Sequence, residues 1–179
     1  DLALGDFSDL PPCISQHVLA EDEYVVIVPE HHPLSSKTEL IFDDIRNEPF
    51  TALPANSVNC FIHLLFAQKN VQPNIIFEGN QNMMLKLFFK GHALIFTTRQ
   101  MIYSQLEYIK NSLQISHDSS IALFLLPITD LDTSFKLSVC WNNTRQLPSM
   151  SQKLLDELIN GYTPYSEDID FVSALPRVI

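Results

Sequence analysis

The sequence predicts an α/β fold in which the chain passes between two compact lobes, and three observations carry that prediction. Val25-Val26-Ile27-Val28 is an unalternating β-branched run closed by Pro29 and followed by Pro33; such a run reads as a strand buried on both faces, and the prolines forbid its continuation. From Pro49 to Leu126, short apolar runs alternate with stretches of helical spacing, the order that builds parallel-rich sheets. After an acidic connection from Pro127 to Ser134, the run Phe135 to Trp141 alternates and then turns apolar, which returns the chain to the lobe where it began.

Composition sets the class. With 179 residues, 46% hydrophobic and 18% charged, the chain is long enough for one large domain or two small lobes and reads as soluble and globular. A net charge of -10, with 11 scattered Lys and Arg, argues against direct contact with nucleic acid or an anionic membrane, because phosphate contact needs surplus basic residues. No apolar run approaches the ~20 residues that span a bilayer, and Asp1 to Asp6 lacks the basic start of a secretory signal; a cytoplasmic location is the expectation. Cys13, Cys60 and Cys140 are widely spaced among apolar neighbours and read as reduced thiols rather than a disulfide framework.

The elements follow in order. Asp1 to Gly5 begins as a strand edge, and Pro11-Pro12 breaks the chain. Val18 to Ala20 and Tyr24 to Val28 are extended on either side of Glu21-Asp22-Glu23, which reads as a solvated turn or strand margin. Leu40, Ile41 and Ile45 fit a single helical turn, and Pro49 to Leu53 a short strand ended by Pro54. Asn56 or Ser57 can cap a helix carrying Val58, Phe61, Ile62, Leu65 and Phe66. Asn74 to Glu78 is a strand; Asn80 caps a helix with Met83, Met84, Leu87 and Phe88, ended by Gly91 as a left-handed glycine. Ala93 to Phe96 is the next buried strand, Thr97 or Thr98 a cap for a helix through Met101 and Ile102, and Ser116 to Ser120 a polar loop. Ile121 to Leu126 is a strand. Ser149 to Gln152 fits a capping box opening a helix with Leu154, Leu155, Leu158 and Ile159 on one stripe, closed by Gly161. Residues 161–179 read as a tail packed on the surface or ordered by a partner.

The order of these pieces resembles the effector-binding domain of LysR-type transcriptional regulators. Asp1-Leu2-Ala3-Leu4-Gly5 matches the family's D-L-A-I strand, and Val25 to Leu34 its V-V-x-P-x-x-H-P-L crossover. Asp44-Ile45 with Glu48-Pro49-Phe50 matches D-L-x-x-x-P-F-I; Pro73 with Ile76-Phe77-Glu78, and then Leu87 to Phe96, match P-x-I-x-x-E and L-V-x-x-G-x-G-I. Each motif alone is weak, and their order over residues 1 to about 160 makes the resemblance specific. Two departures stand out. The strand, helix and strand that normally precede D-L-A-I, and the DNA-binding helices upstream of them, have no counterpart, so the chain reads as a fragment or a degenerate member. Ala93 stands where the family often has a second glycine, and its Cβ is expected to reshape or fill part of the pocket.

The resemblance implies a two-lobe domain like a type 2 periplasmic binding protein, with mixed, mainly parallel sheets and two crossovers. Residues 1–34 and 128–160 form an incomplete first lobe and residues 35–127 the second. A small effector of the organic-acid or amino-acid-like kind binds between them without catalysis, cofactor or metal, and DNA is reached only through a domain outside this sequence. Such domains usually pair antiparallel, so a homo-oligomer is expected. The ligand-facing positions carried over are Thr51, Leu53, Phe96 and Thr97, and Ser57 joins them because a helix N-terminus favours an anion. Each has an ordinary reading beside the functional one: Ser57 and Thr97 as helix caps, Thr51 as a plain strand residue.

Rival chemistry is poorly supplied. His31 and His32 are adjacent and lack further ligands at metal spacing, and His17, His63, His92 and His117 are dispersed. Neither Gly-x-Ser-x-Gly nor a Cys-His signature occurs, and four glycines leave no phosphate-cradling loop. Met83-Met84 and Phe88-Phe89 read as core or dimer contacts. Two non-enzymatic rivals remain: a solute-binding protein for transport, and a degenerate sensor acting only through protein interaction.

Overall fold

The structure, a computed structural model, describes residues 2–7, 9–52, 57–102, 109 and 123–162. Leu53, Pro54, Asn56, the loop from Ser116 to Ser120 and the tail after Tyr162 lie outside the described residues, as does most of the helix expected after Thr98. The chain divides into two compact units: the first holds the described parts of Asp1–Asp22 and Ser134–Ser166, the second those of Glu23–Thr133. The division falls within a strand, between Asp22 and Glu23, upstream of the crossing expected at Pro29 to Lys37; the return falls at Ser134, at the end of the second crossing expected at Pro127 to Ser134.

The first unit contains β1 (Leu2–Gly5), the start of β2 (Ile14–Pro29), β7 (Ser134–Asn142) and a C-terminal helix, α4 (Ser149–Gly161). β1 pairs antiparallel with β7, Leu2 opposite Trp141 and Gly5 opposite Ser138, and β7 lies beside β2. Gln16 Nε2 donates to the buried Ser138 hydroxyl at 2.7 Å. Asn143 fastens the Pro11-Pro12 turn to the end of β7 by donating from Nδ2 to Pro12 O and Ser15 Oγ, both at 3.1 Å.

Two sequence expectations fail in this unit. Glu21-Asp22-Glu23 is not a turn, because β2 runs through it unbroken; Lys136 Nζ on the neighbouring strand lies 3.3 Å from Glu21 Oε1, and Arg99 pairs with Glu23, so the carboxylates have cationic partners along an extended chain. Ser149 does not cap α4. The N-cap is Pro148, whose carbonyl accepts from Gln152 N at 2.9 Å, while the Gln152 amide donates to Asp156 Oδ1 at 3.0 Å instead of closing a box. Gly161 belongs to the helix and has no left-handed backbone. Of the predicted stripe, Leu155 is buried whereas Leu154 is 48% exposed.

The second unit contains the end of β2, β3 (Pro49–Ala52), β4 (Asn74–Glu78), β5 (Leu94–Thr98) and β6 (Leu123–Pro127), with α1 (Phe42–Ile45), α2 (Ser57–Ala67) and α3 (Gln81–Phe89). β3 pairs parallel with β4 and β5, and β2 pairs antiparallel with β5 and β6. The sheet is mixed, as expected, but parallel pairing is a smaller share of the described ladders than the strand–helix alternation suggested. Val25 to Val28 are buried throughout, consistent with a strand covered on both faces.

Side-chain alternation sorts the two layers. Val25, Ile27 and Ile95 pack with Met84, Leu85 and Phe88 of α3 and with Leu123 and Leu125. On the other face Tyr24 stacks between Phe61 of α2 and Phe96, with centroids 3.8 and 5.0 Å away, and Phe66 meets Phe42 and Phe50 edge-on. These aromatic pairs add to the area burial of a core already dense in β-branched residues. α2 and α3 each end on a left-handed residue before the strand that follows. Gly91 ends α3 at φ 72°, with Gly91 N donating to Phe88 O and His92 N to Leu87 O; Asn70 ends α2 the same way at φ 56°, with Val71 N donating to Phe66 O.

Candidate functional site

The parallel ladder places its carboxyl ends together. Phe50 pairs with Leu94 and Thr51 with Ile95, and on the other side Thr51 pairs with Phe77, so the chain leaves β3 beside the point where β5 continues into Phe96, Thr97 and Thr98. In open α/β sheets this edge is where ligands are held. Thr51 is 2% exposed, and its Oγ1 makes no hydrogen bond among the described residues. Thr97 is buried one strand away. Thr98 rather than Thr97 caps the turn that follows, its Oγ1 accepting from Met101 N at 3.2 Å.

The other expected positions fare differently. Phe96 lies on the opposite face from Thr51 and is held in the Tyr24 stack, which makes it a core residue. Ser57 is the first residue of α2. Leu53 falls outside the described residues. Ala93 precedes β5 at the amino end of the ladder, the end away from Thr97, and is buried there.

Two charged groups escaped the sequence reading. Arg99 directly follows β5, and its Nε donates to Glu23 Oε1 at 2.9 Å, with Nη2 on the same oxygen. Asp130 accepts from Phe42 N at 2.7 Å and lies 3.4 Å from Lys69 Nζ. With the Leu40–Ile128 bridge and the bond from Leu40 N to Pro127 O at 2.8 Å, Asp130 fastens the return segment to α1 and to the end of α2. Sequence separations of 76 and 88 residues hid both.

The histidines and cysteines have structural surroundings. His32 Nδ1 accepts from Leu34 N at 3.3 Å and its Nε2 lies 3.5 Å from Glu48 Oε2. Cys13 and Cys140 are free thiols, and burial pushes the Cys140 thiol up. The Asp44 carboxyl is held below its usual range chiefly by the hydrogen bond from Lys37 and then by the Ile41 N–H. Among the described residues, no three His, Cys, Asp or Glu gather as metal ligands, and no helix is long and apolar enough to cross a membrane.

The second unit is thus a mixed α/β sheet flanked by helices, with the buried Thr51 hydroxyl near the carboxyl ends of its parallel strands. Residues 1–107 match the LysR substrate binding domain. The chain belongs to that family. An uncharacterized HTH-type transcriptional regulator of Bacillus subtilis (strain 168), YybE, is 36% identical over 64 residues, which are 35% of this chain and 22% of that protein. The chain thus matches far less than two thirds of that regulator. The regulatory domain of Synechocystis PCC6803 CcmR, solved with 2-PG, is 17% identical with a TM-score of 0.64, covering 89% of this chain and 72% of that one. The effector-binding domain of QuiR, solved with shikimate, is 19% identical with a TM-score of 0.64, covering 89% and 70%. The fold is therefore the periplasmic-binding-protein-like fold of LysR regulatory domains.

Proposed function

We propose that this chain is the effector-sensing part of a LysR-type transcriptional regulator, taking a small organic acid at the carboxyl edge of β3 and β5. The observation that carries the reading is Thr51: a hydroxyl 2% exposed and without a hydrogen-bond partner among the described residues. An unsatisfied buried hydroxyl costs about 1–3 kcal/mol, and an acceptor on a ligand removes that cost. Thr97 and the first turn of α2, with Ser57 at its start, are the further expected contacts, and Leu53 completes the proposed set.

The domains solved with shikimate and with 2-PG support a small-molecule ligand by family likeness. Binding proceeds without covalent change, and the bound and free forms differ in population. On this reading DNA is contacted by another part of a longer, cytoplasmic, self-associating protein, and the two-lobe division of the sequence reading is retained as part of the proposal. The test is thermal denaturation against a panel of small carboxylic acids that includes shikimate. A ligand at 100 times its Kd adds about 2.7 kcal/mol of stability, and Thr51→Val is expected to weaken binding roughly tenfold, the loss of about one hydrogen bond. A panel in which neither charged nor neutral compounds stabilise the protein contradicts the reading.

A further inference from the structure

We propose that Asn160 is a site of spontaneous deamidation, with water as the co-reactant, and that its conversion opens the last turn of α4 for good. Asn160-Gly161 is the one Asn-Gly pair in the sequence. Glycine has no Cβ to hinder its own backbone nitrogen, so that nitrogen can attack the side-chain amide before it. Gly161 N bonds to Asn160 Cγ, the Cγ–Nδ2 bond breaks, and ammonia leaves with the proton that Gly161 N gives up. Water then opens the cyclic succinimide at either carbonyl and yields aspartate or isoaspartate, with no oxidation or reduction.

A helical backbone holds the attacking nitrogen away from the amide, so the reaction requires the last turn to open, and the end of α4 is weakly closed. Both residues are exposed. Gly161 is not left-handed, so α4 lacks the glycine cap that closes α3; Tyr162 N instead donates to Leu158 O at 3.3 Å. No basic residue stands in the last turn to complement the helix dipole. Asn160 Nδ2 donates to Asp156 O at 2.8 Å, and deamidation destroys that donor. The carboxylate that replaces it lies at the negative end of the helix, four residues after Asp156 and three after Glu157, so its charge opposes the closed turn. Isoaspartate also adds a carbon to the main chain, which breaks the spacing that helical hydrogen bonds need. The modified turn therefore does not close again.

The experiment ages the full chain at mildly alkaline pH and follows the Asn160 peptide by mass spectrometry, reading the exchange of ammonia for water, with isoaspartate scored by enzymatic methylation. Asn160 is expected to convert at least about tenfold faster than Asn142 and Asn143, which precede an asparagine and a threonine rather than a glycine. Gly161→Ala, whose Cβ would meet no described atom within 4 Å, is expected to slow conversion about tenfold or more by hindering the nitrogen and strengthening the helix. Amide hydrogen exchange after ageing is expected to quicken at Leu158 to Tyr162 and to stay unchanged at Val25 to Val28, where the core remains folded. Circular dichroism confirms that Gly161→Ala folds. Conversion of Asn160 no faster than that of Asn142 and Asn143, or equally fast in folded Gly161→Ala, overturns the site; conversion that leaves exchange at Leu158 to Tyr162 unchanged overturns the opening.

Discussion

Burying a hydroxyl with no partner is unfavourable by about 1–3 kcal/mol, so Thr51→Val, which keeps the shape and removes the dipole, is expected to raise the stability of the ligand-free protein by about 1 kcal/mol. Urea denaturation measures it, and a loss of stability would show that the hydroxyl has a structural partner. Asn70 makes an opposite case. Its left-handed backbone costs a residue with a Cβ about 1–2 kcal/mol unless the side chain is asparagine-like, so Asn70→Ala is expected to destabilise by about 1 kcal/mol and Asn70→Gly to be neutral or stabilising. Residues of this kind were partly legible. Asn80, whose Oδ1 accepts from Met83 N at 3.0 Å, and Gly91 announce a helix start and stop through local chemistry. Asn70 carried the same signal, but Lys69-Asn70 reads first as a basic end. Thr51, Phe96 and Thr97 came from the resemblance to the family; that Phe96 stacks on Tyr24, on the face opposite Thr51, was not legible because a strand sends alternate residues to opposite faces and local sequence does not reveal the register.

At the scale of elements, what the sequence could not show is long-range partnership. The acidic triplet in β2 looked like a turn or a strand margin because Lys136 and Arg99, which pair with Glu21 and Glu23, are far away in the chain. Pro148 pre-empted Ser149 because a proline with a fitting φ supplies the first accepting carbonyl as well as a capping residue does. α4 buries Leu155 but leaves Leu154 half exposed, so a stripe predicted by spacing need not be covered along its length. The short α1 is held electrostatically. Lys37 donates to Asp44 and Asp44 accepts from Ile41 N, and the lowered Asp44 pKa means that this contribution is present above its ordinary value of 3.8 and is lost as pH falls through the lower folded-state value. Asp44→Asn is therefore expected to destabilise the protein at pH 6 and to have a shrinking effect as the pH falls below 3.8, read from denaturation midpoints; an effect that does not shrink contradicts the assignment.

At the scale of the molecule, the motifs were enough for family and fold class because they lie in strands, at strand ends or beside helix caps and follow one another in the order of the elements along the chain. The division of the chain was less legible: Pro29 and Pro33 mark the end of β2, whereas the units separate seven residues earlier, inside a strand that local sequence gives no reason to cut. On the proposed reading, the hydroxyl of Thr51, buried and without a hydrogen-bond partner among the described residues, is where a small organic acid is held. Amide hydrogen exchange of the chain with and without a saturating carboxylic acid tests this most directly. Slowed exchange at the carboxyl ends of β3 and β5, around Thr51 and Thr97, is the predicted result; protection confined to the first unit, or none while the ligand is bound, would contradict it.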